Sequence, residues 1–254
     1  MYQLVDENAA FIVVSKSSGV CVHCEPNQVG LIVRLKQDLQ LDQLFPVHRL
    51  DKVTSGLLLC AKTRAAASEL SQLFEQRDIE KYYLALGDKK PKKKQGLISG
   101  DMEASRRGAW KLCTTQHKPA VTQFFSYHLP NGASRSLPAS GLRLFLLKPK
   151  TGKTHQLRVA LKSIGSPIVG DRLYGHPLVV DHQEDDVKGG AAIYLHAFVL
   201  RFSLQDRSFE YVDIPHHWNN TPIYHGDVLG QVLSELGIDR PWLLQWPNIK
   251  RLAH

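Results

Sequence analysis

Apolar positions in this chain alternate between two periods. Phe11-Ile12-Val13-Val14 is a β-branched run ended by Lys16-Ser17-Ser18-Gly19, which predicts a strand and a turn. Leu31, Ile32, Leu35 and Leu39 then recur at helical spacing. Gly56 to Ala61 is continuously apolar and reads as a central strand. Thr63 can cap a helix running to about Gln76, with Ala66, Leu70, Leu73 and Phe74 on its inner face. Tyr82-Tyr83-Leu84-Ala85-Leu86 is the next strand.

The texture changes over 88–118. Lys89, Lys90, Lys92, Lys93 and Lys94 surround Pro91, and Arg106, Arg107, Trp110, Lys111 and Lys118 follow. This predicts a basic arm or exposed hairpin outside the core. Val121 to Tyr127 and Leu142 to Leu147 read as strands joined by a Ser/Pro/Gly-rich loop. A helix is expected from about Thr154, closing strands over Ala192 to Phe202 and Phe209 to Ile214, and a surface loop over 181–190. One amphipathic helix, about Val228 to Leu236, is expected near the end. Many strands and few helices predict an α+β fold around a mixed or antiparallel sheet. There is no internal repeat and no long low-complexity linker.

The 254 residues suffice for one large domain or two small ones. Lys and Arg outnumber Asp and Glu by 32 to 24, a net charge of +8 that favours an anionic partner. No apolar run approaches the roughly 18 residues of a membrane span. The start, Met1-Tyr2-Gln3-Leu4-Val5-Asp6-Glu7, lacks the basic and apolar regions of a signal peptide, so a cytoplasmic protein with no membrane partner is expected. Four cysteines, Cys21, Cys24, Cys60 and Cys113, are too few for a disulfide framework. Cys21-Val22-His23-Cys24 resembles half a zinc site but lacks a second ligand pair at suitable spacing, so no metal is expected.

The chemistry concentrates in His48-Arg49-Leu50-Asp51-Lys52-Val53-Thr54-Ser55-Gly56. One carboxylate, Asp51, lies between two cations on a turn just before a rigid strand. That suits an ionised nucleophile facing a polyanionic substrate. The structural alternative is a turn aspartate paired with Arg49 for stability. A second string is Thr151-Gly152-Lys153-Thr154-His155-Gln156-Leu157-Arg158. On a helix, His155, Arg158 and Lys162 share one face, while Leu157, Leu161 and Ile164 share the other. A third is Lys81-Tyr82-Tyr83, where strand alternation puts Lys81 and Tyr83 on one side and Tyr82 on the other.

Together these strings resemble the motifs of the RluA-type RNA pseudouridine synthases, over about Leu4 to Phe202. Lys16-Ser-Ser-Gly19 belongs to the pattern, although the family more often has Pro where Ser17 stands, and Lys153 stands where Arg is usual. The resemblance continues through Gly165, Pro167, Gly170-Asp171 and Tyr174-Gly175. It implies the pseudouridine synthase fold and isomerisation of uridine to pseudouridine in ribosomal and/or transfer RNA, with no cofactor. It also implies catalytic roles for Asp51 as nucleophile, Tyr83 as the base-stacking and proton-transfer residue, and Arg158 as the partner that keeps Asp51 charged. His48, Arg49, Thr54, Lys153, His155 and Gln156 are the implied substrate-binding residues. Arg49 either fills the stack left by a flipped base or is a second salt-bridge partner for Asp51.

The expected organisation is a catalytic domain over 1–215, with the arm at about 88–118, and a C-terminal helical extension over 216–254 packed on it. The pattern begins within the first ten residues, so a monomeric catalytic domain without a preceding RNA-binding domain is expected. Two rival readings are an RNA-binding protein without activity, and a hydrolase that releases the base. The hydrolase would need a second acid, for which Glu80 and Asp171 are the candidates.

Overall fold

The computed structural model describes residues 1–26, 28–129, 142–175, 193–218, 220–221, 224–225 and 229–248. In chain order the elements are β1 (Tyr2–Glu7), β2 (Phe11–Lys16), α1 (Leu31–Asp38), β3 (Phe45–Pro46), β4 (Ser55–Ala61), α2 (Arg64–Gln76) and β5 (Glu80–Gly87). There follow β6 (Gln95–Gly100), β7 (Met102–Ala104), β8 (Trp110–Leu112), β9 (Ala120–His128), β10 (Arg143–Pro149) and α3 (Gln156–Ser163). The last are β11 (Leu195–Leu204), β12 (Arg207–Val212), β13 (Asn220–Thr221), β14 (Tyr224–His225) and α4 (Leu229–Glu235). The arrangement is α+β. Two compact units divide the chain: Met1–Lys81 with Lys188–Asp213, and Tyr82–Val187 with Ile214–His254.

In the first unit β4 is the central strand, and all seven of its residues are buried. It pairs antiparallel with β2, which pairs antiparallel with β1, and it runs parallel to β11, so the sheet is mixed. β12 extends β11 antiparallel. The parallel contact sets His196 opposite Ser55 and Ala197 opposite Gly56. Gly56 sits at φ +103°, and a Cβ there would lie 2.4 Å from the Ala197 carbonyl oxygen. Only glycine meets both conditions. Helix α2 begins where expected: the Thr63 hydroxyl accepts the Ala66 N–H at 3.1 Å. It ends on Arg77 in the left-handed conformation. Its buried residues are Ala66 and Leu70. Phe11, Phe202 and Phe209 close the other side of the unit, their rings 5.0 to 5.4 Å apart.

In the second unit β5, β10, β9 and β6 form an antiparallel run, with Leu144 opposite Leu86 and Ile98 opposite Thr122. The basic 88–118 segment is therefore only partly an arm. Gln95–Gly100 is a sheet strand carrying buried Ile98, because alternation over Gln95-Gly-Leu-Ile-Ser-Gly100 gives it an inward residue that the surrounding lysines obscure. The exposed parts are Lys89, Lys90 and Lys92 to Lys94 and the tip of the β7–β8 hairpin. Residues 246 and 247 pack within this unit. Trp246 packs on Phe125 and Tyr82, and the Pro247 carbonyl accepts the Gln123 side-chain N–H. Helix α4 buries Leu229 and Leu233. The segments 130–141 and 181–190, read as loops, lie outside the described residues.

Candidate active site

The signature string forms a tight turn in the first unit. The Asp51 carbonyl accepts the Thr54 N–H at 3.0 Å. Asp51 is half-buried, with Arg49 and Lys52 exposed around it and Leu50 buried beneath. The Lys16–Gly19 turn clamps the backbone just past Asp51. Gly19, at φ +81°, donates its N–H to the Lys52 carbonyl at 2.9 Å, and the Ser18 hydroxyl donates to Val53 O at 2.6 Å. The Lys16 ammonium, fully buried, donates to the carbonyls of Ser17, Val20 and Lys52 at 2.9 to 3.1 Å. Burial drops its pKa to about 8, and the nearby Cys21 and Asp51 oppose that fall. The Lys52 ammonium is paired with Glu25 at 2.8 Å.

Two residues expected to touch substrate have other work in this unit. The His48 ring stacks on Phe74 at 4.7 Å, and its Nε2 accepts the Leu59 N–H at 3.0 Å. Burial, with the Lys81 charge adding to it, holds its pKa down at about 3. His48 is thus a neutral imidazole joining the turn to β4 and α2. Thr54 is 3% exposed and lies in the core under the turn. Cys21 is buried, and the exposed Cys24 accepts the Gly30 N–H. Among the described residues no group of three His, Cys, Asp or Glu side chains could hold a metal.

In the second unit the start of α3 is built around Gln156. Its Oε1 accepts from the Thr151 hydroxyl and the Lys153 N–H, and its Nε2 donates to Val121 O and the Thr122 hydroxyl, at 2.7 to 3.0 Å. Both acceptor and both donor sites of this buried amide are used, so Gln156 holds α3 to β9. The helix starts at Gln156, two residues later than Thr154, because His155 takes the cap position at φ +57°. Lys153 is exposed beside it.

Arg158 is buried, where an exposed cationic face would have left it in solvent. Its Nε and Nη2 form a fork with both oxygens of Asp171, each at 2.8 Å. Asp171 is fully buried and also accepts the N–H groups of Leu173 and Tyr174. The Tyr174 ring lies under Arg158 at 4.9 Å and Lys162 at 5.5 Å, and its hydroxyl meets His155 Nδ1 at 2.8 Å. His155, Arg158 and Lys162 do share a face, and Tyr174 covers it.

On β5, Tyr82 is fully buried, its hydroxyl accepting from the Lys148 ammonium at 2.9 Å. Lys81 and Tyr83, on either side of it, are half-buried. The alternation leaves Tyr83, and not Tyr82, for work outside the core.

The model of the RNA pseudouridylate synthase family matches residues 10–163, a span that includes the Asp51 turn, the Tyr83 strand and all of α3. The chain belongs to that family. An uncharacterized RNA pseudouridine synthase of Haemophilus influenzae is 48% identical over 79% of this chain and 81% of its own length. The dual-specificity RNA pseudouridine synthase RluA of Escherichia coli is 34% identical over 65% of this chain and 74% of its own. Among solved structures, human RNA pseudouridylate synthase domain containing 1 superposes with a TM-score of 0.69 at 27% identity, covering 93% of this chain and 95% of that one. The pseudouridylate synthase fold, α+β, is therefore the fold of this chain.

Within this synthase, the residues that support the motif strings are less legible in the sequence than the strings themselves. Lys16 stands in the sequence as the end of an apolar run and as part of the family's early turn, and neither marks its contact with Lys52. A lysine that closes a buried strand ahead of a Gly turn is the signal that could have marked it. Asp171 was read as family context or as a rival acid. Its position just before a tight turn, four residues ahead of Gly175, already suited a capping role.

Proposed function

We propose that this chain converts uridine to pseudouridine within ribosomal and/or transfer RNA, with Asp51 as the nucleophile. The half-buried carboxylate on a turn clamped by Lys16–Gly19 carries this reading, because a nucleophile must be held in place and still be reachable. The N1–C1′ bond of the target breaks, the uracil turns, and C5 bonds to C1′. C5 loses a proton and N1 gains one, so the composition is unchanged. Asp51 attacks C1′ or C6, or stabilises an oxocarbenium-like state. Tyr83 holds the extruded base and moves the proton, and Arg158 keeps the nucleophile charged. Arg49, Lys153 and His155 supply contacts to RNA. So do Arg106 and Arg107 at the exposed tip of the β7–β8 hairpin, which suit phosphates. The protein works as a monomer in the cytoplasm, with 1–215 as its catalytic region and 216–254 as an extension.

The hydrolase reading loses its two candidate acids. Glu80 pairs with Arg201 at 2.9 Å, and Asp171 is fully buried in its fork. Incubation with protein-free ribosomal RNA and with bulk transfer RNA, followed by digestion to nucleosides, tests the function. Pseudouridine should appear at the expense of uridine, with no uracil released. Release of uracil would overturn the isomerase.

A further inference from the structure

The Tyr174 hydroxyl has two partners from different parts of the second unit. It accepts the backbone N–H of Trp110 at 2.8 Å and meets His155 Nδ1 at 2.8 Å. Trp110 opens β8 of the hairpin, opposite Ala104, while His155 caps α3 three residues before Arg158. One phenol oxygen therefore joins the hairpin to the helix start. The Tyr174 backbone is fixed as well, because its N–H bonds to Asp171, whose carboxylate holds Arg158.

The hairpin is also held at its base. Asp101 exchanges backbone hydrogen bonds with Cys113 and Thr115, and its carboxylate accepts the N–H groups of His117 and Lys118. Beyond this the ribbon carries the exposed Glu103–Lys111 pair and the tip Arg106-Arg107-Gly108. Along its side, β8 packs against α3, and the Trp110 N–H to Tyr174 hydroxyl bond lies in that contact, so a shift of the ribbon strains the bond. Load on the tip reaches the side bond directly.

We infer that Tyr174 is a positioning residue, whose hydroxyl couples RNA seated on the β7–β8 hairpin to the placement of His155 and Arg158. This rests on the synthase reading above. The polyanion contributes phosphates to Arg106 and Arg107, the ribbon settles, and the Trp110 N–H fixes the phenol. The phenol in turn fixes the imidazole that caps α3. No bond to substrate is made by Tyr174 itself. The ring is a separate matter: it supports Arg158 and Lys162 through its face, and phenylalanine would keep that support.

Two variants and their combination test this, by steady-state tritium release from C5-labelled ribosomal and transfer RNA. Tyr174→Phe should lower kcat about tenfold, the loss of one or two hydrogen bonds at a positioned group, while KM changes less than about twofold. The double variant Arg106→Ala with Arg107→Ala should raise KM about tenfold through lost phosphate contacts and lower kcat several-fold. In the triple variant kcat should fall no further than in Tyr174→Phe alone, because the hairpin no longer reports to the helix. Multiplying fold-losses, or a kcat unmoved by Tyr174→Phe, would overturn the coupling while leaving the synthase intact. An equal rise in KM with kcat unchanged would make Tyr174 a binding residue and would also overturn it. Absence of tritium release from the unaltered protein would remove the synthase reading and this inference together.

Discussion

Lys16 donates its buried ammonium to the carbonyl of Lys52, 3.1 Å away and one residue past Asp51. The same carbonyl accepts the Gly19 N–H. A turn more than thirty residues upstream thus holds the backbone carbonyls that follow the carboxylate. Replacing Lys16 with Met keeps the length of the side chain and removes the donor. Activity should fall by about 10- to 100-fold, since a small misplacement of a reacting group is costly, whereas stability should change little because a buried charge is also removed. Steady-state rates beside a thermal melt check this. A large drop in Tm with specific activity retained would contradict it.

Gly56 predicts a structural defect of a different kind. Its φ of +103° and its 2.4 Å approach to the Ala197 carbonyl leave no room for a Cβ, and the obstacle is backbone. Gly56→Ala should cost about 3 kcal/mol or more of stability, seen as a lower urea midpoint.

His48 gives a pH dependence whose sign follows from its pKa of about 3 against an ordinary 6.5. Between those values the unfolded chain takes up a proton that the folded chain refuses. The stabilisation is complete above about pH 6.5 and is lost as pH falls toward 3. His48→Gln keeps an acceptor for the Leu59 N–H but does not titrate. The fall in urea midpoint from pH 7 to pH 5 should therefore be smaller in the variant than in the unaltered chain. Equal falls would sink the assignment of a neutral imidazole.

Asp171→Asn separates a structural carboxylate from a catalytic acid. The variant leaves the buried Arg158 guanidinium without its counter-charge and should lose about 3 kcal/mol of stability. An acid placed for catalysis would instead give lost turnover at unchanged or increased stability.

The elements that stand on apolar periodicity were legible in the sequence. Phe11–Lys16, Ser55–Ala61, Arg64–Gln76 and Arg143–Pro149 match the runs that predicted them, because burial on one or both faces forces the pattern. Gln95–Gly100 was not legible, since a half-exposed strand flanked by lysines resembles a charged arm. The same division holds at the site. The Asp51 and Arg158 strings are local and were visible. What holds them is not local. Lys16 acts across 36 positions and Asp171 across 13, through a backbone carbonyl and a buried fork. The partners of Gln156 and His48 within the fold are equally illegible, because they lie on other elements of the chain.

The central claim, isomerisation by an Asp51 nucleophile, is tested most directly by tritium release from RNA labelled at uridine C5, with the unaltered chain and Asp51→Asn side by side. The account predicts release by the unaltered chain without uracil in the supernatant. It predicts none by Asp51→Asn, with fold and RNA binding preserved. Substantial release by Asp51→Asn would contradict it.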